Sequence, residues 1–239
     1  MSSLEGKVAI VTGASRGIGE AIARTFAREG ATVVICGRKQ ESLDLVAATA
    51  GKDISGKVVP VACHVGRVED IDKLVERTTR DFGRIDILVN NAATNIAQEP
   101  VLGIDESKFD KMVEVNLKSA FRLLQRIAPG MCERGSGSIV NIASIAGIRP
   151  QYYGMLYSMT KAALIMMTQS YALELGPKGV RVHAICPGLI QTALSEYYWK
   201  DEQKLTQFID KQPLKHLGQP QEIADPALLL ASGQGAYIT

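Results

Sequence analysis

The chain has 239 residues, 46% of them hydrophobic and 22% charged, a composition that excludes a disordered or fibrous protein and suits one α/β domain spanning residues 1–239. Lys and Arg number 27 against 25 Asp and Glu, so the formal charge of +2 gives no electrostatic basis for binding nucleic acid or an anionic membrane; any anion must be held locally. Cys36, Cys63, Cys132 and Cys186 lack CxxC spacing and read as reduced thiols, and His64, His183 and His216 lack the spacing of helix-borne ligands, so no metal is expected.

Met1-Ser2-Ser3-Leu4-Glu5-Gly6-Lys7 has no apolar stretch of the signal-peptide kind, and no run is long enough to span a bilayer; a cytoplasmic protein is expected. Val8 to Val11 is then a short apolar run ended by Thr12-Gly13, and Ile18 to Ala27 repeats apolar residues at helical spacing. Strand, turn and helix recur with Thr32 to Ile35 before Leu43 to Ala50, with Val58 to Ala62 before Ile71 to Phe82, and with Ile85 to Val89 before the 109–127 region. Ser138 to Ile142 and Val180 to Ile185 supply two more strands, with a helix from Tyr157 to Leu175 between them that stops at Gly176-Pro177. This alternation predicts a doubly wound, Rossmann-type parallel sheet with helices on both faces, its ligands outside the carboxyl ends of the strands.

Thr12-Gly13-Ala14-Ser15-Arg16-Gly17-Ile18-Gly19 follows the first strand and opens the first helix, where glycines allow close backbone approach and free N–H groups face a pyrophosphate. The spacing is G-x-x-x-G-x-G, not the G-x-G-x-x-G of many dehydrogenases. An NAD site commonly ends its second strand on an acid that holds the ribose hydroxyls; here that strand ends Cys36-Gly37-Arg38-Lys39. With Arg16 approaching from the other side, Arg38 and Lys39 suit a 2′-phosphate, so NADP(H) is favoured over NAD(H). The plainer reading of Arg38 and Lys39 is a solvated charge pair leading a helix.

Tyr157 and Lys161 are four residues apart at the start of a helix and project from one face. That spacing is common by chance; Ser144, thirteen residues upstream and just past a strand, and Asn116 give it context. Reducing a carbonyl requires a proton donor, and a phenol of pKa about 10 is reluctant near neutrality. A neighbouring ammonium, Lys161, is expected to lower that pKa, while Ser144 hydrogen-bonds the substrate oxygen.

These motifs, in this order, resemble the short-chain dehydrogenase/reductase family across nearly the whole chain, beginning with the Gly13-Gly17-Gly19 turn. The resemblance implies that Ser144, Tyr157 and Lys161 are a catalytic triad and that Asn116 is a fourth member holding a proton-relay water. It implies that Lys161 also binds the nicotinamide ribose. Asn90-Asn91-Ala92-Ala93 resembles the family's NNAG segment, implying that Asn90 and Ala92 support the sheet and contact adenosine. Pro187-Gly188-Leu189-Ile190-Gln191-Thr192 resembles the segment that binds the nicotinamide carboxamide, with Ile190 and Thr192 in contact.

Three features depart from the family pattern. Cys63-His64-Val65 stands where an Asp commonly meets adenine, so His64 is expected to stack or donate; His183 replaces an Asn; and the sequence stops at Tyr237-Ile238-Thr239, where relatives continue into a last strand, which is therefore expected to be missing. The family also implies a homo-tetramer.

Specificity is expected in the loop after the Pro-Gly segment, where Tyr197, Tyr198 and Trp199, with Tyr152, Tyr153, Met155 and Leu156, are candidates to line a large apolar pocket. No cluster of Arg or Lys stands out in that stretch, although Lys200 and Lys204 are placed to attract an acyl carrier. The Leu189 to Asp201 segment resembles a carbonyl and retinol reductase branch and 3-oxoacyl-carrier-protein reductases. The substrate implied is a small apolar or aromatic ketone, aldehyde or secondary alcohol. The alternatives are a 3-oxoacyl thioester and, in another class, a non-enzymatic dinucleotide sensor, against which the intact Ser144, Tyr157 and Lys161 argue.

Overall fold

The computed structural model describes residues 3–51 and 54–239. Met1 and Ser2, part of the stretch read above for a signal sequence, lie outside the described residues. Six strands, β1 (Val8–Thr12), β2 (Thr32–Gly37), β3 (Lys57–Ala62), β4 (Ile87–Asn90), β5 (Gly137–Ile142) and β6 (Val180–Ile185), form one parallel sheet in the order β3-β2-β1-β4-β5-β6. Between them run α1 (Gly17–Arg28), α2 (Gln40–Ala48), α3 (Val68–Phe82), α4 (Glu106–Val113), α5 (Ser119–Glu133) and α6 (Met155–Leu175). Short helices α7 (Glu196–Trp199) and α8 (Glu202–Ile209) follow β6, and α9 (Gln221–Ala231) packs beside α1.

The strands read as continuous apolar runs because both of their faces are covered. Successive residues nevertheless divide between two layers, as the period of two requires. Ala9, Val11, Val33, Ile35, Ile87 and Val89 face a cluster with Ile22 and Phe26 of α1 and Ala224 and Ala227 of α9. Ile10, Val34, Leu88, Ile139 and Val182 face the other way, onto Ile71 and Leu74 of α3 and Leu123, Leu124 and Ile127 of α5. Phe26 is fully buried, a burial worth roughly 1.5–3 kcal/mol.

The predicted 109–127 region is longer and interrupted. Between α4 and α5, Glu114–Lys118 forms a π-turn, a widening of the kind frequent at functional sites, and it contains Asn116. The helix predicted to begin at Tyr157 begins at Met155, and Gly176 is its last cap before a 3-10 turn, as Gly176-Pro177 implied. Among the described residues no strand follows β6; Ser232 caps a 3-10 turn at Gly233–Gly235, and the Val182 N–H donates to Thr239 Oγ1 at 3.1 Å. All four cysteines are free thiols, Cys36 and Cys63 buried. Among the described residues no helix is long and apolar enough to cross a membrane.

From β1 the chain winds outward to β3, then returns to place β4 on the other side of β1, so the strand order reverses between β1 and β4. A ligand site outside the carboxyl ends of these two strands follows from that reversal.

Candidate active site

The glycine turn sits at the reversal. Gly13 and Gly17 have φ of 64° and 63°, left-handed values that favour glycine. A Cβ on Gly13 would lie 2.8 Å from the Ala92 Cα, and Gly19 has Gly13 O and Ala14 Cα as close. The turn is braced from β4: Asn91 Nδ2 donates to Thr12 O at 2.8 Å and to Gly13 O at 3.1 Å, and Thr12 Oγ1 accepts from the N–H groups of Asn91 and Ala92 at 2.9 and 3.0 Å. Arg16, the N-cap of α1, offers no side-chain cap, which leaves the helix's first N–H groups for an anion. A Cβ on Gly17 would come within 3.2 Å of Thr192 Cγ2, so the phosphate turn faces the segment expected to hold the carboxamide. The cradle therefore fits a dinucleotide: glycine where a side chain would fill the space, with unpaired N–H groups around it.

The family resemblance gave Asn90 and Ala92 a part in supporting the sheet and did not single out Asn91 or Thr12. Asn90 lies within β4, where Nδ2 donates across the sheet to Asn141 Oδ1 of β5 at 2.8 Å; Asn141 Nδ2 in turn donates to Thr168 Oγ1 on α6. The Thr12 O and Gly13 O that Asn91 satisfies are acceptors only the folded chain brings together.

At the end of β2, Arg38 and Lys39 are exposed, as is Arg16. The two segments adjoin: the Ala14 N–H donates to Cys36 O at 3.1 Å, and a Cβ on Gly37 would be 3.6 Å from the Ser15 Cβ. Beyond β3, His64 Nδ1 accepts from the Gly66 N–H at 3.1 Å, so a neutral ring carries its proton on Nε2, free to donate. Burial, then Lys111, Arg67 and Arg38, hold its pKa below the ordinary histidine value. Val65 is buried in the layer beneath, so its side chain packs the core.

The predicted catalytic residues converge. Ser144 follows β5 and accepts from the Ala146 N–H at 3.1 Å, capping the 3-10 turn Ile145–Gly147; its hydroxyl also stands close enough to Tyr157 to favour the phenolate. Lys161 is 2% exposed and donates to Ile142 O at 2.6 Å. Burial lowers its pKa to about 8, with the Cys186 thiol opposing. Asn116 is buried and wholly engaged: Oδ1 accepts from the Thr94 N–H at 2.8 Å, while Nδ2 donates to Thr94 O at 2.9 Å and Thr160 Oγ1 at 3.2 Å. Its amide thus ties the loop after β4 to α6.

Burial pushes the Tyr157 phenol up to about 12, with Ser144 opposing and Tyr198 adding to the rise; Lys161 is not among these influences. The Lys161 Nζ, turned to Ile142 O, lies 5.6 Å from the centre of the Tyr157 ring.

Ser144, Tyr157 and Lys161 open on a cleft of about 670 Å³, shared with Asn91, Ile18, Pro187, Gly188, Ile190 and Thr192. Ile145 N–H donates to Pro187 O at 3.0 Å, which fixes the Pro-Gly segment against the serine turn, and Ile190 pairs with Gly218 in an isolated bridge. Tyr152, Tyr153, Tyr197, Tyr198, Leu194 and Phe208 form the aromatic side. Tyr153 adopts φ 57°, an unusual value for a bulky residue, and its ring lies 4.1 Å from that of Tyr152. Three of the expected lining residues do something else. Leu156 is buried with Ala97 and Met112, Met155 is exposed and does not line the cleft, and Trp199 Nε1 donates to Thr192 O at 2.9 Å, packing the loop. In their place the fold brings Arg149, Lys211 and Gln212, which no sequence pattern flagged.

Fold and cleft together define an oxidoreductase of the dinucleotide-binding α/β type. The family model described as Enoyl-(Acyl carrier protein) reductase matches residues 13–239. The chain is 38% identical to human "Dehydrogenase/reductase SDR family member 4" over 237 residues, covering 99% of this chain and 84% of the relative. It is likewise 38% identical to the Thermotoga maritima "3-oxoacyl-[acyl-carrier-protein] reductase FabG", covering 99% and 94%. The solved structure of levodione reductase superposes with a TM-score of 0.94 at 31% identity, covering 99% and 94%. The chain belongs to the short-chain dehydrogenase/reductase family and is an oxidoreductase dependent on a nicotinamide dinucleotide.

Proposed function

We propose that this protein uses NADP(H) to interconvert an apolar or aromatic ketone or aldehyde and its alcohol, with Ser144, Tyr157, Lys161 and Asn116 as its catalytic group. The observation that carries the reading is the meeting of Ser144, Tyr157 and Lys161 on one aromatic-walled cleft, next to the glycine turn. The dinucleotide, when bound, supplies or accepts the hydride. Ser144 Oγ hydrogen-bonds the carbonyl oxygen and Tyr157 gives it a proton as charge develops there. Lys161 holds the nicotinamide ribose, and its positive charge favours the phenolate that remains. Asn116 positions the loop after β4 against α6 and so keeps Lys161 and Tyr157 in place.

The preference for NADP(H) rests on three exposed cations, Arg16, Arg38 and Lys39, around the end of β2, with no acid at that strand's end. Gly13, Ser15, Gly17, Ile18 and Gly19 receive the pyrophosphate, His64 meets the adenosine, and Pro187, Gly188, Ile190 and Thr192 meet the carboxamide. Residues 1–239 work as one cytoplasmic domain assembled into a homo-tetramer.

A panel of carbonyl compounds assayed by NADPH oxidation, with Tyr157→Phe as control, tests the reading. Equal rates for wild type and Tyr157→Phe on every active substrate would remove Tyr157 as proton donor. Similarity to the Thermotoga 3-oxoacyl-[acyl-carrier-protein] reductase supports a 3-oxoacyl thioester as the second reading. Faster turnover of acetoacetyl thioesters than of free ketones would choose it.

A further inference from the structure

The outer part of the cleft carries positive charge and no negative charge. Arg149 reaches it from the loop before α6, Lys204 from α8, and Lys211 from the turn that follows α8. Among the described residues no Asp or Glu lines the cleft. Lys204 is partly answered: its Nζ is 3.4 Å from Asp201 Oδ2 and 3.7 Å from the centre of the Tyr197 ring. Among the described residues the side chains of Arg149 and Lys211 have no hydrogen bond or ion pair.

A second observation points the same way. Gln212 Nε2, an N–H donor, is buried at the cleft without an acceptor among the described residues, and its Oε1 lies 3.4 Å from where a Gly188 Cβ would be. A buried donor left unmatched is uncommon, because its desolvation goes uncompensated. Unpaired cations beside aromatic walls attract an anion more strongly than they would in open water. Arg149 and Lys211 are exposed at the mouth, so an uncharged aromatic substrate would match the tyrosines, leave these two cations to water and leave the buried Gln212 donor unmatched.

We infer that Arg149, Lys211 and Gln212 form an anion subsite, so that the preferred substrate is an aryl or apolar carbonyl compound bearing a carboxylate or phosphate remote from the reacting carbon. This rests on the reductase reading above and narrows its substrate class. The subsite is assembled from segments more than sixty residues apart, which explains why no cluster was visible along the chain.

Two substrate pairs test it: benzoylpropionate against its methyl ester, and acetoacetyl coenzyme A against acetoacetyl N-acetylcysteamine. Each is assayed with wild type, with Arg149→Gln/Lys211→Gln, and with the charge-retaining Arg149→Lys/Lys211→Arg. We expect the anionic member of one pair to be favoured by roughly tenfold or more in kcat/KM, chiefly through KM. That ratio should fall toward one in the glutamine variant, return in the charge-retaining variant, and shrink with added salt. Because each comparison is a ratio within one enzyme, general damage to the fold cancels. Preference in the first pair identifies a carboxylate, and in the second a phosphate. Equal kinetics within both pairs, or a preference that survives the glutamine variant, overturns the subsite and leaves the reductase intact. Inactivity on all four compounds overturns the reductase reading itself.

Discussion

Lys161 and Tyr157 stand one turn apart on α6, yet the lysine spends its hydrogen bond on Ile142 O, 2.6 Å away, and its Nζ lies 5.6 Å from the centre of the tyrosine ring. With the phenol raised to about 12 and the ammonium lowered to about 8, both groups are held in their neutral forms more strongly than in water. On the proposed mechanism, activation of Tyr157 depends on charge arriving beside it, from Lys161 turning away from Ile142 and from the oxidised nicotinamide. In alcohol oxidation the rate should rise with pH as the phenol ionises. Lys161→Met removes one of the two charges, so the midpoint of that rise should move up by about one pH unit or more, with kcat falling. A pH profile that keeps its midpoint in Lys161→Met would separate the lysine from the phenol's ionisation.

Tyr157→Phe keeps the ring and loses the proton donor. Its kcat should drop about 10²- to 10⁴-fold, while cofactor affinity, measured by fluorescence titration, stays within a few-fold. A loss of similar size in both would mean that the hydroxyl holds the site together and does not transfer the proton.

The proposed preference for NADP(H) rests on exposed charge at the end of β2. Removing one charge-assisted contact to a 2′-phosphate costs about 1.5–3 kcal/mol, so Arg38→Ala or Arg16→Ala should raise KM for NADPH about 10- to 100-fold. KM for NADH should change little, since its ribose offers no phosphate. Parallel losses for both cofactors would assign these arginines to the shared pyrophosphate.

Gly13 and Gly83 both have positive φ, 64° and 76°, but a Cβ on Gly83 meets nothing within 4 Å whereas one on Gly13 meets the Ala92 backbone at 2.8 Å. Gly83→Ala should cost about 1 kcal/mol in denaturant unfolding, the backbone strain alone. Gly13→Ala should cost more and should also weaken dinucleotide binding, because β1 and β4 must move apart to admit the methyl. Equal costs would show that the turn yields easily.

His183, on β6, is held neutral: burial, then the Arg181 guanidinium, lower its pKa from 6.5 to about 4, and its Nε2 lies 3.1 Å from Arg181 Nη1. In the unfolded chain it takes up a proton below pH about 6.5, whereas the folded chain resists until about 4, so acid favours unfolding across that interval. Stability contributed by this residue is full above the unfolded value and falls by up to about 3 kcal/mol as pH drops. His64, also lowered, adds to the same trend. His183→Gln should flatten the acid limb of the melting temperature between pH 6.5 and 4, measured against wild type in the same buffers. A limb of unchanged slope would place the acid sensitivity elsewhere.

The strands were legible because each is buried on both faces and therefore reads as an unbroken apolar run; Val180 to Ile185 matches β6 end to end. Helix ends and the π-turn at Glu114–Lys118 were not, since local propensity is nearly the same for one turn of α- or π-helix and packing decides between them. The glycine turn and the Ser144, Tyr157 and Lys161 constellation could be read because their chemistry requires particular residue types at near-fixed spacing. The sequence alone thus determined the fold class and which residues, Ser144, Tyr157 and Lys161, would meet on one cleft. Tertiary structure decided the rest: that Asn91 braces the phosphate turn, that Trp199 packs a loop, and that Arg149, Lys211 and Gln212 share one cleft. Those roles depend on distances between segments far apart in the chain. Periodicity reports which face of an element is buried, and carries no information about which distant side chain it will meet.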